Sequence, residues 1–168
     1  MVSCMMAGGV FNVCAEAKAP VAQEVQNVNL PSSTSTITMY KLLNYRCGLY
    51  PRTYTWEKTI KSMLDSHYCK PADVSEFMVI FTAPFHYRGI YPECVVGSTF
   101  QTSSYNFKME NEEQAHLLYD CMKRDLVANK AKLVEKDYDN PYTVNADYNG
   151  RNILLFVHEG PTVTLVVQ

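Results

Sequence analysis

Residues 142–158 constrain the fold of this chain most, because two alternating runs flank the dipeptide Asn149-Gly150. Asn-Gly is the strongest two-residue signal for a β-hairpin, since both residues accept the positive φ angles of a type I′ turn. A loop of two residues also determines which residues face each other across the two strands. The predicted pairs are Tyr148 with Arg151, Ala146 with Ile153, Val144 with Leu155, and Tyr142 with Val157.

A third strand is predicted at residues 162–167, after the turn Glu159-Gly160-Pro161. If that turn has three residues, the apolar side chains of this strand fall opposite apolar partners, whereas a two-residue turn would place Thr164 and Val166 there. The hydrophobic pattern therefore predicts a three-stranded meander with one apolar face. The three-residue turn pairs Val163 with Val157, Leu165 with Leu155, and Val167 with Ile153.

The rest of the chain contains two helical patterns and three further β-type runs. Residues 55–67 and the segment that begins at Asn111 repeat apolar residues with helical spacing after a capping residue. Residues 77–82, 94–100 and 105–109 have the composition of strands, and residues 37–47 fit either a helix or a strand, with Gly48 favouring a helix. We therefore predict an α+β fold with an antiparallel or mixed sheet that ends in the C-terminal three-stranded meander. Two or three helices pack on one face of this sheet.

Length and charge indicate one domain without an electrostatic preference for polyanions. The chain has 168 residues, with 15 Lys and Arg against 17 Asp and Glu. A chain of this length forms a single core, and neither sign of charge forms a long block along it. We therefore expect neither nucleic-acid binding nor binding to anionic lipid.

The first 17 residues resemble a secretory signal peptide. Residues 1–15 carry no charge, and Ala15-Glu16-Ala17 is an A-x-A cleavage site at the end of a short apolar run. The run is too short for a transmembrane helix. A basic n-region is missing, which we explain by a start codon placed too late. The expected organisation is a signal peptide at 1–17, a flexible leader at 18–36 and one globular α+β domain at 37–168.

Two other interpretations of the N-terminus remain open. Residues 1–17 also fit a buried N-terminal helix of a cytosolic protein, because A-x-A is a common match. Lipoprotein anchoring through Cys4 or Cys14 is less favoured, since only Ser3 before Cys4 supplies a small residue directly before either cysteine. Export to the periplasm or to the medium is therefore the expectation for this chain.

Cleavage after Ala17 leaves four cysteines, which are possible disulfide partners in an oxidising compartment. An even number permits two disulfides in three connectivities, and the sequence does not choose among them. The alternative is that the four thiols are buried as small apolar groups. No spacing resembles C-x-x-C, so we expect no structural zinc site. These cysteines are Cys47, Cys69, Cys94 and Cys121.

Residues 83–93 form the best candidate binding segment, a predicted loop that is longer than a hairpin requires. Aromatic residues and arginine are enriched at binding hot spots, and long loops in compact domains are often functional. The alternative is that the rings of this loop fold back over the edge of the sheet and complete the core. The candidate binding residues are Phe85, His86, Tyr87, Arg88 and Tyr91.

Together these patterns favour a non-enzymatic binding or interaction module, whose partner is a protein or a small-molecule ligand. The alternative is a small hydrolase that uses Cys69 or Cys94 with a histidine, but no residue is assigned a catalytic role. We expect no cofactor and no metal, since the calcium-like run 145–150 lacks the back half of its loop. Self-association through the C-terminal strand is a further expectation, because the sequence ends on this strand and no charged residue blocks its edge.

The predicted cleavage site defines the N-terminus of the mature protein. Intact-mass spectrometry of protein purified from its native cell should give a chain that begins at Lys18. A chain that still begins at Met1, with every sulfur reduced, would contradict the export prediction.

Overall fold

A computed structural model describes residues 35–83, 85–90, 93–158 and 160–168. The predicted signal peptide and residues 18–34 of the predicted leader lie outside this part of the chain. The helices are α1 (Met39–Asn44), α2 (Trp56–Asp65) and α3 (Glu112–Ala128), with a 3-10 turn at Pro71–Asp73. The strands are β1 (Ser35–Ile37), β2 (Tyr45–Arg46), β3 (Tyr50–Pro51), β4 (Met78–Ala83), β5 (Phe85–Tyr87), β6 (Glu93–Thr99), β7 (Ser103–Lys108), β8 (Lys132–Val134), β9 (Thr143–Tyr148), β10 (Arg151–Val157) and β11 (Thr162–Val167).

The predicted α+β fold is confirmed. Seven strands form one antiparallel sheet in the order β4-β6-β7-β11-β10-β9-β8. Helix α3 packs against β10 and β11, and α1 contacts α3. Leu118, Met122 and Leu126 of α3 are fully buried, as are Ile153 and Leu155 of β10. The main core therefore lies between the sheet and α3.

The C-terminal meander has the predicted register on both sides of β10. Arg151 pairs with Tyr148 and Ile153 pairs with Ala146, so the turn contains two residues. Asn149 and Gly150 have φ angles of 54° and 76°, as a type I′ turn requires. On the other side of β10 the pairs are Ile153 with Val167, Leu155 with Leu165, and Val157 with Val163.

The two longer helices begin at the predicted capping residues. The Thr55 hydroxyl oxygen accepts a hydrogen bond from the Lys58 amide, and the Asn111 side chain accepts one from the Gln114 amide. In residues 37–47 both predicted patterns are partly present, because α1 ends at Asn44 and the chain then becomes extended in β2. Gly48 therefore does not cap a helix, although its φ of +68° requires a glycine-like conformation.

The prediction that the sheet ends at the C-terminal strand is wrong. Strand β11 lies between β10 and β7, and it pairs with both along its whole length. The alternating pattern predicts the pairing of β11 with β10 but contains no information about β7, which is about 60 residues away along the chain. Self-association through a free β11 edge therefore loses its structural basis.

The prediction of a long connection between the strands at 77–82 and 94–100 is also wrong. Within this connection Phe85–Tyr87 form strand β5, and Tyr87 and Ile90 exchange backbone hydrogen bonds of 2.8 and 2.9 Å. Arg88 and Gly89 form the two-residue turn, with φ angles of 49° and 80°. Strand β1 pairs with β5 in parallel, so Ser35 and Thr36, which were predicted as part of the leader, belong to a strand.

Candidate functional site

The predicted binding segment is largely internal. Phe85 and Tyr87 are only 2% and 1% exposed, and both belong to the hydrophobic core. His86 is half-buried and its Nε2 lies 2.9 Å from the Thr36 hydroxyl oxygen. Tyr91 lies outside the described residues. The rings of Phe85 and Tyr87 therefore complete the core, as the alternative interpretation of this segment expected.

Asp125 of α3 holds the tip of this hairpin. The Tyr87 hydroxyl donates a hydrogen bond of 2.5 Å to Asp125 Oδ2. The Arg88 guanidinium donates to both carboxylate oxygens, through Nε to Oδ2 at 2.7 Å and through Nη2 to Oδ1 at 2.6 Å. A bidentate pair of this kind fixes geometry as well as charge. Burial and the adjacent Asp125 carboxylate raise the pKa of Tyr87 well above its usual range, so its hydroxyl stays protonated and donates.

Three of the four predicted disulfide cysteines are buried free thiols. Cys47, Cys69 and Cys94 are free, and no pairing among these three is seen. Cys121 is buried on α3, with Arg124 Nη2 donating to its sulfur at 3.6 Å. With three of the four free, the structure does not show the predicted disulfides among these four cysteines, and the alternative of buried thiols describes Cys47, Cys69 and Cys94.

The chemistry of the three free thiols is unfavourable for nucleophilic attack. Burial raises the pKa of Cys47 to about 11 and that of Cys94 to about 12. The pKa of Cys69 is also raised, first by burial and then by the negative charge of Asp73. Since the thiolate is the nucleophile, these environments oppose the activation that a catalytic cysteine needs.

A shallow cleft of about 200 Å³ lies beside the start of α3. His116 stacks on Tyr142 with ring centroids 3.7 Å apart, and Tyr119 meets the edge of Tyr142 at 5.7 Å.

Within the described residues no group of three or more His, Cys, Asp or Glu side chains is arranged to hold a metal ion. In the same part of the chain, no helix combines the length and the apolar character needed to cross a membrane.

A second group of candidate side chains lies at the end of the sheet where β4 begins and β6 ends. We call it the aromatic–arginine surface, and it consists of Arg46, Tyr54, Trp56, Phe77 and Phe100. Phe77 and Phe100 are 73% and 61% exposed, which is unusual for large apolar side chains. Met78 pairs with Thr99, so Phe77 lies just before the first paired residue of β4 and Phe100 just after the last paired residue of β6. The two phenylalanines are therefore at the same end of this strand pair.

Arg46 connects the rings of the aromatic–arginine surface. Its guanidinium carbon lies 5.4 Å from the ring centroids of both Trp56 and Phe100, within cation–π range. Its Nη1 donates to the Tyr54 carbonyl at 3.2 Å. The Trp56 indole donates to the Glu76 carbonyl at 3.3 Å, which ties α2 to the residue before Phe77. The surface is therefore held by contacts among four segments that are far apart in the sequence.

Two further arginines extend the positive charge of this surface. Arg52 donates to the carbonyls of Gln101 and Val167, both at 3.5 Å, and Arg151 donates to the Leu43 carbonyl. Burial, and then the positive charges of Arg151 and Arg46, lower the pKa of Arg52. We call Arg46, Arg52 and Arg151 the guanidinium cluster.

Sequence reasoning missed the aromatic–arginine surface because its members are distributed over residues 46–100. Phe77 and Phe100 were both placed at the ends of predicted strands, as parts of β-type runs. A signal was available in the sequence, because Phe77 begins one β-type run and Phe100 ends another. A large apolar side chain at the end of a strand can lie outside the core. No family model, curated protein or solved structure matches this chain.

Burial and raised pKa predict that the three free thiols are inert in the folded protein. At neutral pH, iodoacetamide should leave Cys47, Cys69 and Cys94 unmodified, and should alkylate them after denaturation. Peptide mass spectrometry of both samples measures this directly. Rapid alkylation of Cys69 or Cys94 in the native protein would contradict the assignment and favour a cysteine-dependent enzyme.

Proposed function

We propose that this chain is an exported, non-enzymatic binding module that holds a segment of another protein on the aromatic–arginine surface. The observation that carries the proposal is the exposure of Phe77 and of Phe100, whose ring lies against the buried Arg46. Arg46 itself is only 7% exposed, so the rings are presented around an ordered guanidinium. Aromatic residues and arginine are the residues that dominate binding energy at protein interfaces.

The attachment of this surface to β4, β6 and α2 supports the proposal. Phe77 directly precedes the first paired residue of β4, Phe100 directly follows the last paired residue of β6, and Trp56 is buried in the first turn of α2. Side chains that are ordered before binding lose little conformational entropy when a partner arrives. Exposed apolar groups of this size also cost free energy in the unbound protein unless a partner covers them.

The predicted binding segment at residues 83–93 is a weaker candidate for direct contact with a partner. Phe85 and Tyr87 are buried, and Arg88 is already paired with Asp125. We propose that this segment supports the fold. The hydrolase alternative receives no support from the thiols, whose raised pKa values keep them protonated at neutral pH.

Selection of peptides on the surface tests the proposal. A displayed library of random peptides should yield sequences that bind the wild-type chain, and these should bind the Phe77→Ser, Phe100→Ser double variant at least about tenfold more weakly. The loss is expected because both substitutions remove exposed apolar contact area without opening a cavity in the core. Isothermal titration calorimetry of the selected peptides gives the affinities.

A matched control uses exposed apolar residues elsewhere. Leu117 and Val127 on α3 are 57% and 53% exposed, so Leu117→Ser with Val127→Ser removes a similar apolar area from a different surface. This control should retain wild-type affinity. If no peptide is enriched on the wild-type chain, or if the selected peptides bind all three proteins equally, the proposed binding surface is refuted.

A further inference from the structure

We propose that the guanidinium cluster recognises carboxylates, so that the partner is an acidic peptide segment with an apolar or aromatic side chain beside its acidic residues. This inference rests on the proposed function, because it names the partner of the same surface. The inference is based on three arginines that have no acidic partner among the described residues.

The three guanidinium groups are hydrogen-bonded but not neutralised. Their acceptors are backbone carbonyls of Leu43, Tyr54, Gln101 and Val167, and the side-chain oxygen of Asn44. Within the described residues, no carboxylate lies within 4.0 Å of any of the three, since the ion pairs found there are Lys61–Asp65 and Arg88–Asp125. A carbonyl dipole satisfies an N–H donor but leaves the net charge in place.

Arg52 also has an unfavourable environment for its charge. Burial, and then the positive charges of Arg151 and Arg46, lower its pKa. Its Nε is buried without a hydrogen-bond partner among the described residues. A bound carboxylate would accept from guanidinium donors and reduce the repulsion among the three charges. The unused donor and the uncompensated charge therefore both favour an anionic partner.

The neighbouring rings favour a peptide over a polyanion. Phe77 and Phe100 have no hydrogen-bonding groups, so they match an apolar side chain better than a hydroxyl-rich sugar. The whole chain carries a formal net charge of −2. A long polyanion would meet this negative charge beyond the cluster, whereas a short acidic segment meets mainly the local positive charge.

Fluorescence of the full chain tests this inference, because Trp56 is its only tryptophan and lies against Arg46. The probe is the peptide acetyl-Glu-Phe-Glu-Phe-Glu-amide, and its comparison is the same peptide with Gln in place of Glu. The acidic peptide should bind at least about tenfold more tightly at low salt, since it forms charge-assisted hydrogen bonds. Raising the ionic strength to about 0.5 M should remove most of this difference.

Variants identify the arginines that are responsible. Arg52→Gln and, independently, Arg151→Gln should each weaken the acidic peptide at least about fivefold and leave the Gln peptide unchanged. Arg124→Gln is the control, because Arg124 is exposed on α3 and its hydrogen bonds within the described residues are to Asp120 and Cys121 of the same helix. Urea unfolding of each variant shows whether the protein remains folded, and two separate variants keep the test valid if one of them does not.

The outcomes separate the two proposals. Equal affinity for the two peptides, with loss of both in the Phe77→Ser, Phe100→Ser variant, would overturn the acidic partner and leave the binding surface intact. No saturable binding of either peptide would overturn the inference, while the peptide selection decides the surface. Tighter, Arg52-dependent binding of heparin fragments or of a 12-nucleotide thymidine oligomer would also overturn it in favour of a polyanion.

Discussion

The pairing of β7 with β11 is the constraint on which the rest of the structure depends. It joins the β4-β6-β7 hairpins to the C-terminal meander, so that two groups of strands become one sheet of seven. The paired residues Phe107 and Val163, and Tyr105 and Leu165, are all fully buried. Burial of these side chains supplies the hydrophobic free energy that favours this long-range contact over its loop-closure entropy.

The same pairing creates the candidate site. It places the turn between β6 and β7, the end of β11 and the start of β10 at one end of the sheet. Arg52 bridges these segments through the carbonyls of Gln101 and Val167, and Arg46 reaches Phe100 from β2. The aromatic–arginine surface is therefore a consequence of topology. Its residues have no common local pattern, and only the complete seven-stranded sheet brings them together.

Local signals in the sequence predicted local structure well. Asn149-Gly150 determined a complete hairpin register, and Thr55 and Asn111 marked the starts of two helices, because turns and caps depend on neighbouring residues. The turn at Arg88-Gly89 escaped prediction, since arginine rarely adopts a positive φ and Pro84 and Pro92 interrupt the alternation around it. The β7–β11 contact and the guanidinium cluster escaped because they arise between distant segments. The burial of Phe85 and Tyr87 also depends on distant segments, since Tyr87 bonds to Asp125 of α3.

The central claim is that the β7–β11 pairing assembles the aromatic–arginine surface, and nuclear Overhauser spectroscopy of isotopically labelled protein tests it most directly. The account predicts cross-strand contacts of Tyr105 with Leu165 in the same spectrum that shows Arg46 side-chain protons against the Trp56 and Phe100 rings. A β11 strand without contacts to β7, or a Phe100 ring without contacts to Arg46, would contradict it.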